Sequence, residues 1–409
     1  MSGFFCTLDI FLFFCMMYPM SSFSTKTAVF ITIALDLIGL TIIFPLLPIF
    51  ETQFGASTLW IGIMGWIYAL CSFVASPLLG RLSDRIGRKR ILALSVFGSA
   101  VGWFITAFAP NFWWVLFGRI IDGVTAGNMT VAQAILSDIS KDEKERAKYF
   151  GIFGMMFGLS MIVGPYLGGV LVQWWYMVPF FVTGCISFAN ALFISLFLPE
   201  THTPNRLLMF VKRSSFPVFW ALMRGHTALY LWVALLVGLG AGVYRNSYSL
   251  YMDKFYHLSI EQISHVLMGV GLFMAFCQGF LLSRFWLKKF SPRQILTITL
   301  LSSITLFSLT ASYDQFGDRN IFVWIILEIT MVFFTVAMWP ILQSEGVSKA
   351  SPNARGEISG YFSSVFSMTA ILAPILGGYF VNHLISPMWI AAIFSSFAFI
   401  LFWRKRQQF

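Results

Sequence analysis

Long runs of apolar residues alternate with short polar, often charged turns along nearly the whole chain. Twelve runs, at about 27–50, 60–79, 91–109, 112–137, 149–172, 175–198, 227–251, 262–287, 293–312, 321–344, 357–381 and 384–403, suit a hydrocarbon core of about 30 Å, which takes roughly 20 helical residues to cross. Closed barrels leave weaker, alternating segments, so these spans are predicted to be helices. The fold class is all-α, a polytopic membrane protein with twelve transmembrane helices.

The pattern repeats once. "RAKYFGIFGMMFGLSMIVGPYLGG" (146–169) and "RGEISGYFSSVFSMTAILAPILGG" (355–378) align without a gap at an offset of 209 residues, as the fifth and eleventh spans. The expected organisation is an apolar extension at 1–24, a six-helix bundle at 25–199, a polar linker at 200–226 and a second six-helix bundle at 227–409. Parallel repeats of this kind imply two bundles that rock against each other around a central pathway. The extension is read as an interfacial helix, not as a thirteenth span.

Composition supports a membrane protein, since only 11% of residues are charged against about 25% in ordinary soluble domains. The net charge of +10 raises the question of nucleic acid, but its placement answers it. With the N-terminus inside, 23 of the 27 Lys and Arg residues fall on the cytoplasmic side, which predicts both termini in the cytoplasm of an inner membrane. Basic loops beside anionic lipid need no nucleic acid partner. Five cysteines scattered singly predict neither a disulfide framework nor a metal site. No phosphate-binding GxxxxGK[ST] sequence and no catalytic Ser/His/Asp signature is present, so no cofactor and no enzyme activity are expected.

Ionisable residues inside spans are costly, at least about 2.5 to 3.5 kcal/mol at mid-bilayer, and persist mainly for function or pairing. Asp36 lies near the middle of span 1, Arg119 and Asp122 in span 4, Arg245 towards the outer end of span 7 and Glu328 near the middle of span 10. Arg119 and Asp122, three apart, share a helix face. They form either a neutralising pair or a carboxylate whose proton affinity follows its distance from the cation and its access to water. Asp36 is either a hydrogen-bond acceptor for a neighbouring helix or a transport acid. Glu328 is either a protonated, hydrogen-bonded acid or a substrate or proton site. Gln133 and Asn128 are candidates to supply hydrogen bonds further inward, though Asn128 points to a different face. Arg245 either binds an anionic substrate group or reaches the outer interface along its aliphatic stem, and the interface is preferred. Trp103, Trp339 and Phe366 either line an apolar cavity or pack helices and face lipid.

The turn "GRLSDRIGRKR" (80–90) sets Asp84 among Arg81, Arg85, Arg88, Lys89 and Arg90, with Gly80 and Gly87 permitting a tight bend. It either anchors the loop inside or places Asp84 at a helix N-terminus, where free N–H groups favour an anion. Span 5 carries glycines, including Gly164, Gly168 and Gly169 around Pro165, that suit close helix packing in lipid. A bend is expected at Pro165.

The loop Gly80-x-Leu82-x-Asp84-Arg85-x-Gly87-Arg88-Lys89, the Gly164-Pro165 and Gly168-Gly169 pairs, span 1 "LDLIGLTIIFPLLP" and span 4 "GRIIDGVTAGNMTVAQAILSDI" resemble the major facilitator superfamily, and within it the twelve-span drug:proton antiporters such as the tetracycline exporters. That resemblance implies two pseudo-symmetric bundles and a conformational latch. In it Asp84 meets the start of span 11, near Gly356 to Ser359, and Arg88 pairs with Asp138 while the protein is open outward. It implies a proton-transfer role for Arg119 and limits on leakage from span 5. Tetracycline exporters carry a further acid in span 3, where this chain has Gly102, so a tetracycline–metal chelate is not the expected substrate.

The function expected is proton-coupled export of small amphipathic organic compounds by a monomer in the bilayer, with the substrate and protons as its partners. The alternatives are proton-coupled import of a nutrient or siderophore and, less favoured, a non-transporting receptor or scaffold.

Overall fold

A computed structural model describes residues 25–141, 143–201, 227–349 and 355–406. The expected extension at 1–24 and most of the expected linker at 200–226 lie outside the described residues. The described chain is helical throughout its apolar runs, because in hydrocarbon every backbone N–H must be bonded within its own segment.

Spans 1 to 6 are Thr25–Phe54, Thr58–Ile86, Arg88–Ala107, the pair Phe112–Thr125 and Asn128–Asp138, Glu143–Leu171 and Val178–Phe197. Spans 7 to 12 are Ala228–Tyr256, Ile260–Lys289, Pro292–Phe316, Ile321–Ser348, Arg355–Asn382 and Pro387–Arg406. Local signals set the ends. Asn111 and Asn320 accept from the first helical N–H groups of spans 4 and 10, and Ser259–Gln262 and Ser291–Gln294 form capping boxes on spans 8 and 9.

Among the described residues spans 1, 4 and 10 are broken, and span 8 passes into a π-helix over Cys277–Trp286. Span 1 passes through a short 3-10 turn, Phe44–Leu46, which holds Pro45, and Pro48 stands in the first turn of the helix that follows. Span 4 breaks at Ala126 and Gly127, and span 10 breaks at Val336 and Ala337, the corresponding place in the second half. Span 5 runs as one helix through Pro165.

The core shows how the halves meet. We call the side bearing the 80–90 turn the basic face and the opposite side the far face. One buried apolar cluster, including Phe50, Phe180, Tyr251 and Trp324, joins both halves at the far face. Towards the basic face the core splits into two clusters, one around Leu37, Leu92 and Ile135 and one around Leu231, Leu296 and Phe362. The described polar bonds between halves also lie towards the far face. Lys254 pairs with Glu51, the Ser249 hydroxyl donates to the Phe44 carbonyl, and the Thr58 hydroxyl donates to the Gly378 carbonyl at 3.1 Å. Among the described residues the two halves are therefore joined at the far face and their buried clusters divide towards the basic one.

Candidate functional site

Between the halves lies a cavity of about 190 Å³, lined by residues of spans 1, 2, 3, 4, 7 and 11. Tyr68, Trp103 and Arg119 reach it from the first half, and Asn246, Ser247 and Pro374 from the second.

Arg119 and Asp122 form the pair their spacing predicts, with Nη1 3.2 Å from Oδ2. Both side chains are about 5% exposed. The Arg119 guanidinium lies 3.9 Å from the Trp103 ring and donates to the Thr106 hydroxyl at 3.4 Å. Its Nε, buried, has no hydrogen-bond partner among the described residues. Ser99 stands beside Asp122, and Tyr68 beside Asp36, Asp122 and Arg119.

Asp36 is half-buried and accepts a 2.6 Å hydrogen bond from the Asn128 side-chain amide. A continuous helix would carry Asn128 on another face, as expected above. The break at Ala126–Gly127 re-aims the second segment of span 4 and brings Asn128 to span 1. Gln133, further along that segment, is half-buried and makes no hydrogen bond among the described residues.

Glu328 is 4% exposed and accepts a 2.8 Å hydrogen bond from the Tyr244 hydroxyl. It lines neither this cavity nor the neighbouring one. Arg245, the residue after Tyr244, is exposed on the wall of a second cavity in the second half. The helix extends to Tyr256, so Arg245 sits near the middle of span 7 and not at its outer end, and the interface preferred from sequence does not describe its surroundings.

At the basic face Arg88 is the hub. Its side chain lies 2.5 Å from Asp84 and 3.0 Å from Asp138, and donates to the Ser83 hydroxyl at 2.7 Å. Asp84 thus pairs within its own half; the expected contact with span 11 falls on Gly356, Glu357 and Ser359, whose side chains lie outside the described residues. Gly87 ends span 2 with φ at +117°, a conformation that favours glycine, and a Cβ there would lie 2.3 Å from the Glu200 carboxylate. Gly80 packs near the Thr130 methyl, Lys89 is half-buried, and Arg85 has an interaction partner of its own.

The Span 5 glycines touch other spans. A Cβ on Gly164 would lie 2.0 Å from the Thr41 hydroxyl, one on Gly168 2.7 Å from the Ile42 carbonyl, and one on Gly169 2.3 Å from the Ser264 hydroxyl of span 8. Gly102 backs onto Gly118, and a Cβ there would lie 2.7 Å from the Gly118 carbonyl, so an acid has no room at that position without a shift.

Sequence reasoning missed two acids. Glu200 accepts from the Arg88 backbone N–H at 2.8 Å, at the start of span 3, where orphan N–H groups favour an anion. Its signal was a carboxylate just after span 6 on the same face as the 80–90 turn. Asp314 is fully buried and accepts from Tyr251, Tyr256 and Ser386 at 2.6, 2.6 and 2.5 Å. Span 9 was expected to end at 312, and the extra turn to Phe316 carries Asp314 inside the protein.

Comparison with known proteins accords with this architecture. The Major Facilitator Superfamily model matches residues 29–369. The chain is 27% identical over 373 residues to the class H tetracycline resistance protein of Pasteurella multocida, covering 85% of this chain and 87% of that one. It is 25% identical over 368 residues to the quinolone resistance protein NorA of Staphylococcus aureus (strain MSSA476), covering 88% and 91%. Among solved structures, a bacterial homolog to the human lysosomal transporter Spinster superposes with a TM-score of 0.73 at 18% identity, covering 94% of this chain and 97% of that one.

Proposed function

The chain belongs to the Major Facilitator Superfamily and is a multi-pass membrane transporter, not an enzyme, and from that premise we propose that it exports small amphipathic organic compounds in exchange for protons. The basic face is then cytoplasmic, both termini lie inside, and the protein works as a monomer in the inner membrane. The names of its relatives, resistance proteins towards tetracycline and quinolones, favour export of drug-like molecules.

One observation carries the reading: the Arg119–Asp122 pair stands against the cavity, with half-buried Asp36 nearby, at mid-depth between two halves whose shared buried apolar cluster, among the described residues, lies at the far face. A carboxylate placed there meets water from one side at a time. In the outward-open state Asp36 or Asp122 takes a proton. Closure brings the site to the cytoplasmic side, where the proton leaves and substrate binds. The membrane potential adds about 2.3 kcal/mol per charge per 100 mV. The 80–90 turn acts as the latch: Asp84 and Arg88 hold each other when the basic face is open, and Asp84 reaches span 11 when that face closes.

The test uses inside-out membrane vesicles acidified within, with tetracycline, a fluoroquinolone and ethidium as probes. Export predicts accumulation of at least one probe driven by the pH gradient, partial collapse of that gradient on probe addition, and loss of both in Asp36→Asn or Asp122→Asn at normal abundance. Movement of probe out of the vesicles with the protons would instead establish import and overturn the reading.

A further inference from the structure

Among the described residues, the ionisable groups named at the two cavities have an ionic or hydrogen-bond partner with one exception. Arg119 has Asp122, Asp36 has Asn128, and Glu328 has Tyr244. Arg245 makes no ion pair and no hydrogen bond among the described residues. It lies 17 residues into a 29-residue helix, about 25 Å from one end and about 17 Å from the other at 1.5 Å per residue. A cation at that depth is costly, and among the described residues neither an acid nor a short path to the headgroups offsets it.

Its surroundings are those of a ligand site. The cavity of about 310 Å³ is walled by spans 7, 8, 10 and 11, with Met274, Gln278, Trp339 and Phe366 on its lining. That volume lies at the small end of sites for organic ligands. The Arg245 guanidinium stands 5.6 Å from the Phe366 ring, which meets Trp339 edge-on at 5.8 Å. Phe366 is 42% exposed although it lies mid-span on span 11. Exposed aromatic surface, a guanidinium lacking an anion and an uncommitted amide at Gln278 line one cavity.

We propose that Arg245 is the anion-binding centre of the transport site and that the substrate is an amphipathic organic anion, an aromatic carboxylate by class. The carboxylate takes the planar guanidinium in a two-bond fork, and the ring lies against Phe366 and Trp339. Gln278 donates to a remaining oxygen. This deepens the transport reading and rests on it for movement across the membrane, but not for binding.

Equilibrium dialysis of the purified full-length protein with radiolabelled 2-naphthoate, 2-naphthamide and 2-(aminomethyl)naphthalene tests it. A charge-assisted hydrogen bond contributes roughly 1.5 to 3 kcal/mol, so wild type is expected to bind naphthoate at least about tenfold more tightly than the amide or the amine. Arg245→Gln should bring the three probes within about twofold of one another, and Arg245→Lys should keep an intermediate preference, which separates loss of charge from loss of fold. Equal binding of the three probes by wild type, no naphthoate binding, or a preference that survives in Arg245→Gln overturns the proposal. Flux of the same probes in acidified inside-out vesicles separates the two readings. Naphthoate preference in binding without proton-driven flux upholds the anion site and overturns export, whereas amine flux without any anion preference does the reverse.

Discussion

The side-chain amide of Asn128 donates a 2.6 Å hydrogen bond to the Asp36 carboxylate, tying the middle of span 1 to the first residue after the break in span 4. A hydrogen bond to a charged group is worth roughly 1.5 to 3 kcal/mol, so its loss should be visible in function. Asn128→Ala is expected to slow proton-driven transport at least about fivefold at unchanged abundance, and Asn128→Asp, which sets two acids together, to slow it further. Initial rates in sealed vesicles check this; wild-type rates in Asn128→Ala would detach Asn128 from the coupling site.

The contacts of span 5 set up a contrast among its glycines. A methyl group at Gly164 would lie 2.0 Å from the Thr41 hydroxyl, whereas nothing lies within 4 Å of one at Gly158. Overpacking costs about 1 to 3 kcal/mol, so Gly164→Ala should lower the thermal midpoint and yield of the purified protein while Gly158→Ala leaves both near wild type. Equal melting of the two variants would remove close packing as the reason for Gly164.

Lys254 and Glu51 join span 7 to the end of span 1 at the far face, beside the Thr58–Gly378 bond. Removing a half-exposed pair costs up to about 1 kcal/mol, enough to shift a two-state equilibrium roughly fivefold towards the form open at the far face. Lys254→Met in a Thr58→Cys background should speed labelling by an impermeant maleimide added from the far side. An unchanged or slower rate would show that this pair does not hold the far face shut.

A different pair staples the basic face of the first half. Lys26 lies 2.7 Å from Glu145, and hydrogen bonds from Lys26, Tyr149 and the Lys141 backbone N–H hold the Glu145 carboxyl below its ordinary range, at about 2. A depressed acid stabilises the fold above its unfolded pKa, near 4.5, and loses that contribution as pH falls through about 2. The difference in thermal midpoint between wild type and Glu145→Gln should therefore be the same at pH 6 and pH 8. A difference that changes over that interval would mean that Glu145 titrates there.

The residues that sequence placed well and those it misplaced differ in kind. Arg119 and Asp122 pair as expected because three residues along one helix fix their relation. Arg88 and Asp138 meet at 3.0 Å, the partners the family resemblance named for the outward-open state, but here with the halves joined at the far face. The facing of Asn128, the depth of Arg245 and the burial of Asp314 were not legible because each depends on where a helix breaks or ends, and a single apolar run does not mark such points.

Twelve spans, the repeat of six and the sidedness of the basic turns follow from the sequence alone. Lipid leaves a backbone no partner outside its own helix, so length and polarity suffice to mark each crossing. The rotation of each span about its axis is another matter, since it is set by side chains packed against it from distant parts of the chain. Only the folded protein therefore decides that Asp36 meets Asn128, that Glu328 is sealed behind Tyr244, and that Arg245 faces a cavity with no acid to answer it among the described residues.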